Sequence, residues 1–349
     1  MRSHVMATAA AFGGAALILS GCSSSSPADS DGGGGSLTVL CTVQEDQCQQ
    51  VMDTFTAEEG ITARYVRMSA GEAVARMNAS KANPEFDVVY GGGADNHVAS
   101  AEFGLLEPYV SPNADVIPEE FKDPDGLWTG IYWGMFGFCA NTDVLESIGA
   151  DVPQSWDDLL DPVFAGNIAM AHPATSGTAY QAMWSQVELN DGDQDAALDY
   201  FGDLHSNILQ YTKSGSGPGQ MAGRGEIAVG LIFAHDCIKF INEGFTNLET
   251  IYPEEGATFE VGAVSLIKDA AHPDEAKTFI DWALTPVAQE IGVATGNYQA
   301  PTNPDAEVTD DMVDRDEVAV LDYDITEAGA ARDELTKRFD AEVAPQPKE

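Results

Sequence analysis

Three short stretches place hydroxyls and small residues just ahead of a helical segment: Ser69-Ala70-Gly71-Glu72, Thr175-Ser176-Gly177-Thr178-Ala179-Tyr180 and Lys213-Ser214-Gly215-Ser216-Gly217. The first turn of a helix offers unpaired N–H groups and the positive end of the helix dipole, and Ser or Thr hydroxyls add further donors. Several such loops together hold a phosphate without any basic surface. Taken singly, each is an ordinary cap or turn; what sets the group apart is Lys213, one of few basic residues in an acidic chain. His235-Asp236 is a second candidate, following an apolar run at residues 227–233. Read as strand residues, the two face opposite ways and cannot orient one another as a catalytic pair does. G-x-S-x-G, H-E-x-x-H and P-loop patterns are absent from the chain, so the chemistry expected is binding rather than turnover. No C-x-x-C or Cys/His spacing suggests zinc, and no cofactor is expected.

The elements that must position these residues are legible as periodicities. Residues 36–41 are a β-rich run, residues 44–59 have helical spacing through Cys48, Val51, Met52 and Phe55, and Gly60 stops that helix. Residues 61–68 alternate as a strand, a second helix opens at Ser69 and ends near residue 82, and residues 86–90 form a buried strand leading to Gly91-Gly92-Gly93. Strand, helix, strand, helix, strand with short links implies right-handed crossovers and a parallel sheet. Ligands of such sheets sit beyond the carboxyl ends of the strands. Thr42, Gln44, Ser69, Gly71 and Gly92 stand at those ends and are expected to approach a ligand. Further on, residues 130–141 are apolar and aromatic, and Ser155 is placed to cap a helix carrying Trp156, Leu159 and Leu160 inward. Residues 166–171 and 261–267 read as strands, residues 172–178 as a loop into a helix at 179–189, and residues 273–284 as a helix.

The N-terminal end reads as processing rather than fold. Arg2 precedes an apolar run at residues 5–19, too short and too rich in Ala and Gly for a membrane span, which closes on Ser20-Gly21-Cys22. Leu17-Ile18-Leu19-Ser20-Gly21-Cys22 resembles a lipobox, so residues 1–21 are expected to be a signal peptide and Cys22 the lipidated start of the mature chain. Residues 22–36 are a Ser/Gly-rich tether. The chain carries 57 Asp and Glu against 16 Lys and Arg, a net charge of −41, spread along its length. An evenly acidic surface suits concentrated salt, where screening shrinks to a few ångströms, and it excludes nucleic acid as a partner. Setting Cys22 aside leaves four cysteines, an even number that suits two disulfides outside the cell. Of the three connectivities, Cys41 with Cys48 and Cys139 with Cys237 is favoured; four free thiols is the alternative.

In its residues the chain resembles the extracellular solute-binding proteins of ABC importers, and within them the ferric-ion-binding-like branch that includes hexose-phosphate binders. The stretches that carry the resemblance are Cys41-Thr42-Val43-Gln44-Glu45, Asp161-Pro162-Val163-Phe164-Ala165-Gly166, Ser176-Gly177-Thr178-Ala179-Tyr180, Tyr211-Thr212-Lys213-Ser214-Gly215-Ser216, Phe233-Ala234-His235-Asp236 and Asp281-Trp282-Ala283-Leu284-Thr285-Pro286. It implies an α/β, two-lobed periplasmic-binding-protein type II fold with a central ligand cleft and hinge. Lobe 1 would comprise residues 37–134 and 266–349, lobe 2 residues 135–265. Ferric binders of this branch carry a Tyr-Tyr pair, which this sequence lacks. By the sugar-phosphate pattern, His235, Asp236 and Glu255 would read sugar hydroxyls, and Ser176, Gly177, Thr178, Ser214 and Ser216 the phosphate. The implied function is capture of a phosphorylated polar solute, a sugar phosphate foremost, by a monomer lipid-anchored on the outer face of the membrane. That monomer would deliver the solute to an ABC permease. Ferric ion or a phosphonate is the alternative ligand, and a secreted phosphatase the alternative class. Replacing the lipid-bearing thiol, Cys22→Ser, is expected to release the protein into the medium with solute binding intact, whereas retention in the membrane fraction contradicts the lipobox.

Overall fold

The computed structural model describes residues 35–315 and 318–344, so the leader, Cys22 and the tether as far as residue 34 lie outside the described residues. The chain opens with β1 (Ser36–Cys41), α1 (Glu45–Glu59), β2 (Thr62–Arg67), α2 (Ala70–Ala79), β3 (Val88–Gly93) and α3 (Ala94–Glu102). Gly60 closes α1 in the left-handed region at φ 69° while its N–H donates to the Thr56 carbonyl, as its lack of a Cβ allows. β1 pairs in parallel with both β2 and β3. After the two-residue β4 (Leu106–Glu107), β5 (Thr129–Asn141) runs for 13 residues, every one buried, into α4 (Thr142–Ile148).

A second parallel block follows. It contains β6 (Ile168–Ala171), α5 (Gly177–Leu189), α6 (Gln194–Leu204), β7 (Ile208–Thr212), α7 (Gly217–Gly223), β8 (Val229–Phe233) and α8 (Ala234–Asn242). β6 pairs in parallel with β7 and with β8. After β9 (Leu248–Ile251) the chain returns along β10 (Phe259–Ile267) to α9 (Pro273–Ala283), α10 (Pro286–Gln289), α11 (Ile291–Ala294), β11 (Ala300–Pro301) and α12 (Ile325–Glu342). The main strand order is β2-β1-β3-β10-β5-β8-β6-β7. The sheet is therefore mixed, not parallel throughout. β10 runs antiparallel to β3 and β5, and β5 antiparallel to β8, because one strand carries the chain out of the first block and another brings it back. The first half of β5 pairs with β10 and the second half with β8. The expected lobe limits, 134/135 and 265/266, fall inside these two crossing strands.

Local expectations are met in some places and not in others. Cys41–Cys48 and Cys139–Cys237 are both disulfide-bonded. Gly91 to Gly93 belong to β3 itself rather than to a loop after it. The segment after Ser155 makes only one 3-10 turn, Asp157–Leu160, although Ser155 Oγ does accept the Asp158 N–H at 3.1 Å. Pro162 follows too closely for a longer helix. His235-Asp236 lies in the first turn of α8, not on a strand, since β8 ends at Phe233.

α12 was not anticipated, because its sequence is polar on most of its surface, and it reaches both blocks. Arg332 meets Asp95 of α3 at 2.8 Å, both buried, and its guanidinium lies 4.3 Å from the ring centroid of Tyr180 on α5. Tyr180 donates its hydroxyl to the Ala328 carbonyl, and Gln181 Nε2 donates to the other Asp95 oxygen at 3.3 Å. Burial raises the Asp95 carboxyl against the opposing pull of Arg332. Removing one member of a buried ion pair strands the other charge, so Arg332→Met is expected to cost about 3–5 kcal/mol in urea unfolding. Adding Asp95→Asn should recover much of that loss, and a cost below about 1 kcal/mol, the surface-pair range, contradicts the reading.

Candidate functional site

Between the two blocks a cavity opens where helices of both blocks begin. Ser69 precedes α2, Ser176 precedes α5 and Ser216 precedes α7, and all three line it. Gly177 and Thr178 are the first two residues of α5, and Ser176 Oγ caps that helix by accepting from Ala179 N at 3.4 Å. Ser214 and Ser216 share a hydroxyl contact of 3.3 Å. The turn between them approaches α5 closely enough that a Cβ on Gly215 would overlap Thr178 Oγ1, so glycine is required there. On the facing side, Thr42 Oγ1 donates to the Tyr90 carbonyl at 3.4 Å, and Gly92 adopts φ 77° beside it. Arg67, the last residue of β2, also lines the cavity and donates Nε–H to the Val43 carbonyl at 3.0 Å. It is the only Lys or Arg in the lining, and no ion pair among the described residues includes it. Together these residues bring three helix starts, six Ser and Thr hydroxyls and one guanidinium to the cavity, a donor set suited to an oxyanion.

The opposite side is built from acids and amides. His235 and Asp236, each 6% exposed, project from the first turn of α8, and Glu260, 4% exposed, comes from β10. Gln44 Nε2 donates to Asp236 Oδ1 at 2.9 Å from the far side of the cleft. Burial pushes the Glu260 carboxyl well above its usual range, reinforced by Asp236 and then Asp95. Burial also lowers His235, against the opposing pull of Asp236, which leaves the imidazole neutral. His235 Nε2 approaches Glu260 Oε1 to 3.9 Å, and burial disfavours the charged form of each partner. Tyr132 accepts the Gly92 N–H at 3.1 Å, and burial raises its phenol well above the usual range. Its own proton is thereby directed away from Gly92. His235 Nδ1, which faces Gly134 of β5, and Gln299 Oε1 are buried without a hydrogen-bond partner in the protein.

Three residues expected at the ligand stand elsewhere. Lys213 is exposed and does not line the cavity, and its carbonyl accepts from Thr175 Oγ1 at 3.1 Å. Glu255 is also exposed, and its carboxylate caps the Trp156 N–H at 3.1 Å, committing it to the turn that buries the indole. Gly71 does not line the cavity. Its N–H donates to the Thr175 carbonyl at 3.0 Å, and a Cβ there would strike the Ala174 carbonyl, so it is where the two blocks touch backbone to backbone. Conversely, Arg67, Tyr132, Glu260 and Gln299 line the cavity and were passed over in the sequence. One signal was available: Glu260 is a lone acid inside the apolar run 259–267.

Among the described residues, no group of three or more His, Cys, Asp or Glu could hold a metal ion, and no helix is long and apolar enough to cross a membrane. The chain is 38% identical to the periplasmic binding protein AfuA from Actinobacillus pleuropneumoniae, a structure solved with exogenous fructose-6-phosphate bound. That likeness covers 88% of this chain and 98% of the other at a TM-score of 0.86. An uncharacterized protein of Haemophilus influenzae is 36% identical across 88% of this chain and 90% of its own length. A putative 2-aminoethylphosphonate-binding periplasmic protein of Salmonella typhimurium is 27% identical over 75% of this chain and 76% of its own. Residues 83–328 match the model of a bacterial extracellular solute-binding protein. With the two-block sheet, the cleft and these likenesses in agreement, the chain belongs to the bacterial extracellular solute-binding protein family.

Proposed function

We propose that the cleft captures a phosphorylated polar solute, a sugar phosphate, by hinge closure and hands it to an ABC permease without chemical change. The carrying observation is the division of the cavity: oxyanion donors on one side, and on the other His235, Asp236, Glu260 and Gln299, groups able to read hydroxyls. The phosphate would lie against Arg67, Ser176, Thr178 and the Ser214–Ser216 turn. The sugar would lie against His235, Asp236, Glu260 and Gln299. The likeness to a relative solved with fructose-6-phosphate bound supports a sugar phosphate as the solute. Iron is disfavoured, because the single phenol in the lining, Tyr132, is held protonated and already accepts an N–H. An aminophosphonate has one specific point in its favour: Asp236 with Glu260 could receive its ammonium, as the name of the Salmonella relative suggests. The protein would act as a monomer, lipidated at Cys22 and held outside the cell in a salty habitat, with lobe 1 formed by residues 37–134 and 266–349.

Calorimetry with hexose phosphate, free hexose, inorganic phosphate and 2-aminoethylphosphonate separates these readings. Charge-assisted hydrogen bonds contribute about 1.5–3 kcal/mol each, so Thr178→Val is expected to weaken every phosphorylated ligand roughly ten- to a hundredfold. Glu260→Ala should weaken hexose phosphate while sparing inorganic phosphate. Tight binding of 2-aminoethylphosphonate with no response to hexose phosphate would move the assignment to the amine, and release of inorganic phosphate from the ester would make the protein a phosphatase.

A further inference from the structure

Two contacts join α1 to α8 at the mouth of the cleft, and only one of them reaches the cavity. Gln44, which precedes α1, donates to Asp236 inside it. One turn further along α8, Lys239 leaves its own block and donates to Asp46 Oδ2 of α1 at 2.6 Å. The same ammonium also reaches the Thr295 carbonyl at 3.4 Å and Asn297 Oδ1 at 3.3 Å, in the segment that follows α11. α11 packs against α1, so all three acceptors belong to the side of the cleft opposite α8. An ammonium has three protons and accepts nothing, and three oxygens meet it here. Lys239 is 8% exposed, and it does not line the solute cavity.

Both sides of this contact are fixed covalently. The Cys41–Cys48 disulfide brackets Gln44 and Asp46, so the start of α1 cannot swing away from the end of β1. Cys237, between Asp236 and Lys239, is bonded to Cys139 of β5, which fixes the start of α8 against the crossing strand. Closure of the cleft therefore brings together two pre-shaped surfaces, and opening it returns Lys239 to water. The Asp46 side chain is already half exposed, so the attraction is partly screened and the contact is reversible.

We propose that Lys239 is a positioning residue for solute capture: seated among Asp46, Thr295 and Asn297, its ammonium holds the cleft closed and so sets the affinity for whatever solute fills it. The proposal rests on hinge closure of the fold and not on the identity of the solute. An apparent dissociation constant is the intrinsic one divided by the competent fraction, so loss of the latch multiplies every ligand's constant by the same factor.

The test uses the full mature chain with spin labels on Asp53→Cys of α1 and Asn242→Cys of α8, both exposed positions. In ligand-free protein, Lys239→Met is expected to lengthen the label distance. It should also raise the dissociation constants of inorganic phosphate, hexose phosphate and 2-aminoethylphosphonate by one common factor of about three to ten. Asp46→Asn, the milder change at the half-exposed partner, should act in the same direction and add little to Lys239→Met in the double variant. Unchanged distances in both variants, or a factor that differs between ligands, overturn the proposal. If none of the three compounds binds the wild type, the sugar-phosphate reading falls while the label distances still decide the latch.

Discussion

β5 and β10 run side by side in opposite directions through the middle of the sheet, and they are the main ladder by which one parallel block is joined to the other. This constraint sets where everything else begins. In each block the parallel strands end toward the crossing, so the helices that follow them start there. α2 begins after Ser69, α5 after Ser176, α7 after Ser216 and α8 after Phe233, all around one cavity. Helix starts carry unpaired N–H groups and partial positive charge, which gives an anion somewhere to sit inside a protein whose net charge is −41. The acidic surface and the anion-suited interior are thus compatible because they act over different distances. Repulsion from the surface is screened within a few ångströms in concentrated salt, while the donors act in contact.

The same crossing explains why closure needs its own contacts. Beyond the paired strands, the blocks meet backbone to backbone at Gly71 and Thr175 and through side chains. At the back, Arg332 and Asp95 bind α12 to α3 while Tyr180 and Gln181 bring in α5. At the mouth, Gln44 meets Asp236 and Asp46 meets Lys239. The back pair is buried on both sides and costly to break, whereas at the front the Asp46 side chain is half exposed, an asymmetry suited to a hinge that opens on one side only.

Much of this was legible in the sequence, and the losses have physical causes. The elements from β1 to β3 follow from periodicity and from Gly60, and the pairing favoured because Cys41 and Cys48 are close in sequence is the one the structure holds. The hydroxyl loops could be found because Ser, Thr and Gly mark the start of a helix wherever it lies. Arg67 and Tyr132 could not, because which face of a strand meets the cleft is decided by partners far along the chain. His235-Asp236 was misplaced on a strand because an apolar run of this kind does not show where a strand stops and a helix begins. Glu255 and Glu260 make the point most simply. The first sits in an acidic pair and stays in solvent, while the second interrupts an apolar strand and is carried into the cleft by its neighbours.

That an anion is held here by contact donors, and not by long-range attraction, is tested most directly by the salt dependence of hexose-phosphate affinity. Raising salt from about 0.1 M to about 1 M shortens the screening length from roughly 10 Å to roughly 3 Å. The account predicts a dissociation constant that stays level or falls across that range, since screening removes repulsion and leaves the short hydrogen bonds in place. A tenfold loss of affinity over the same range contradicts it, because only an attractive field around the cleft weakens in that way.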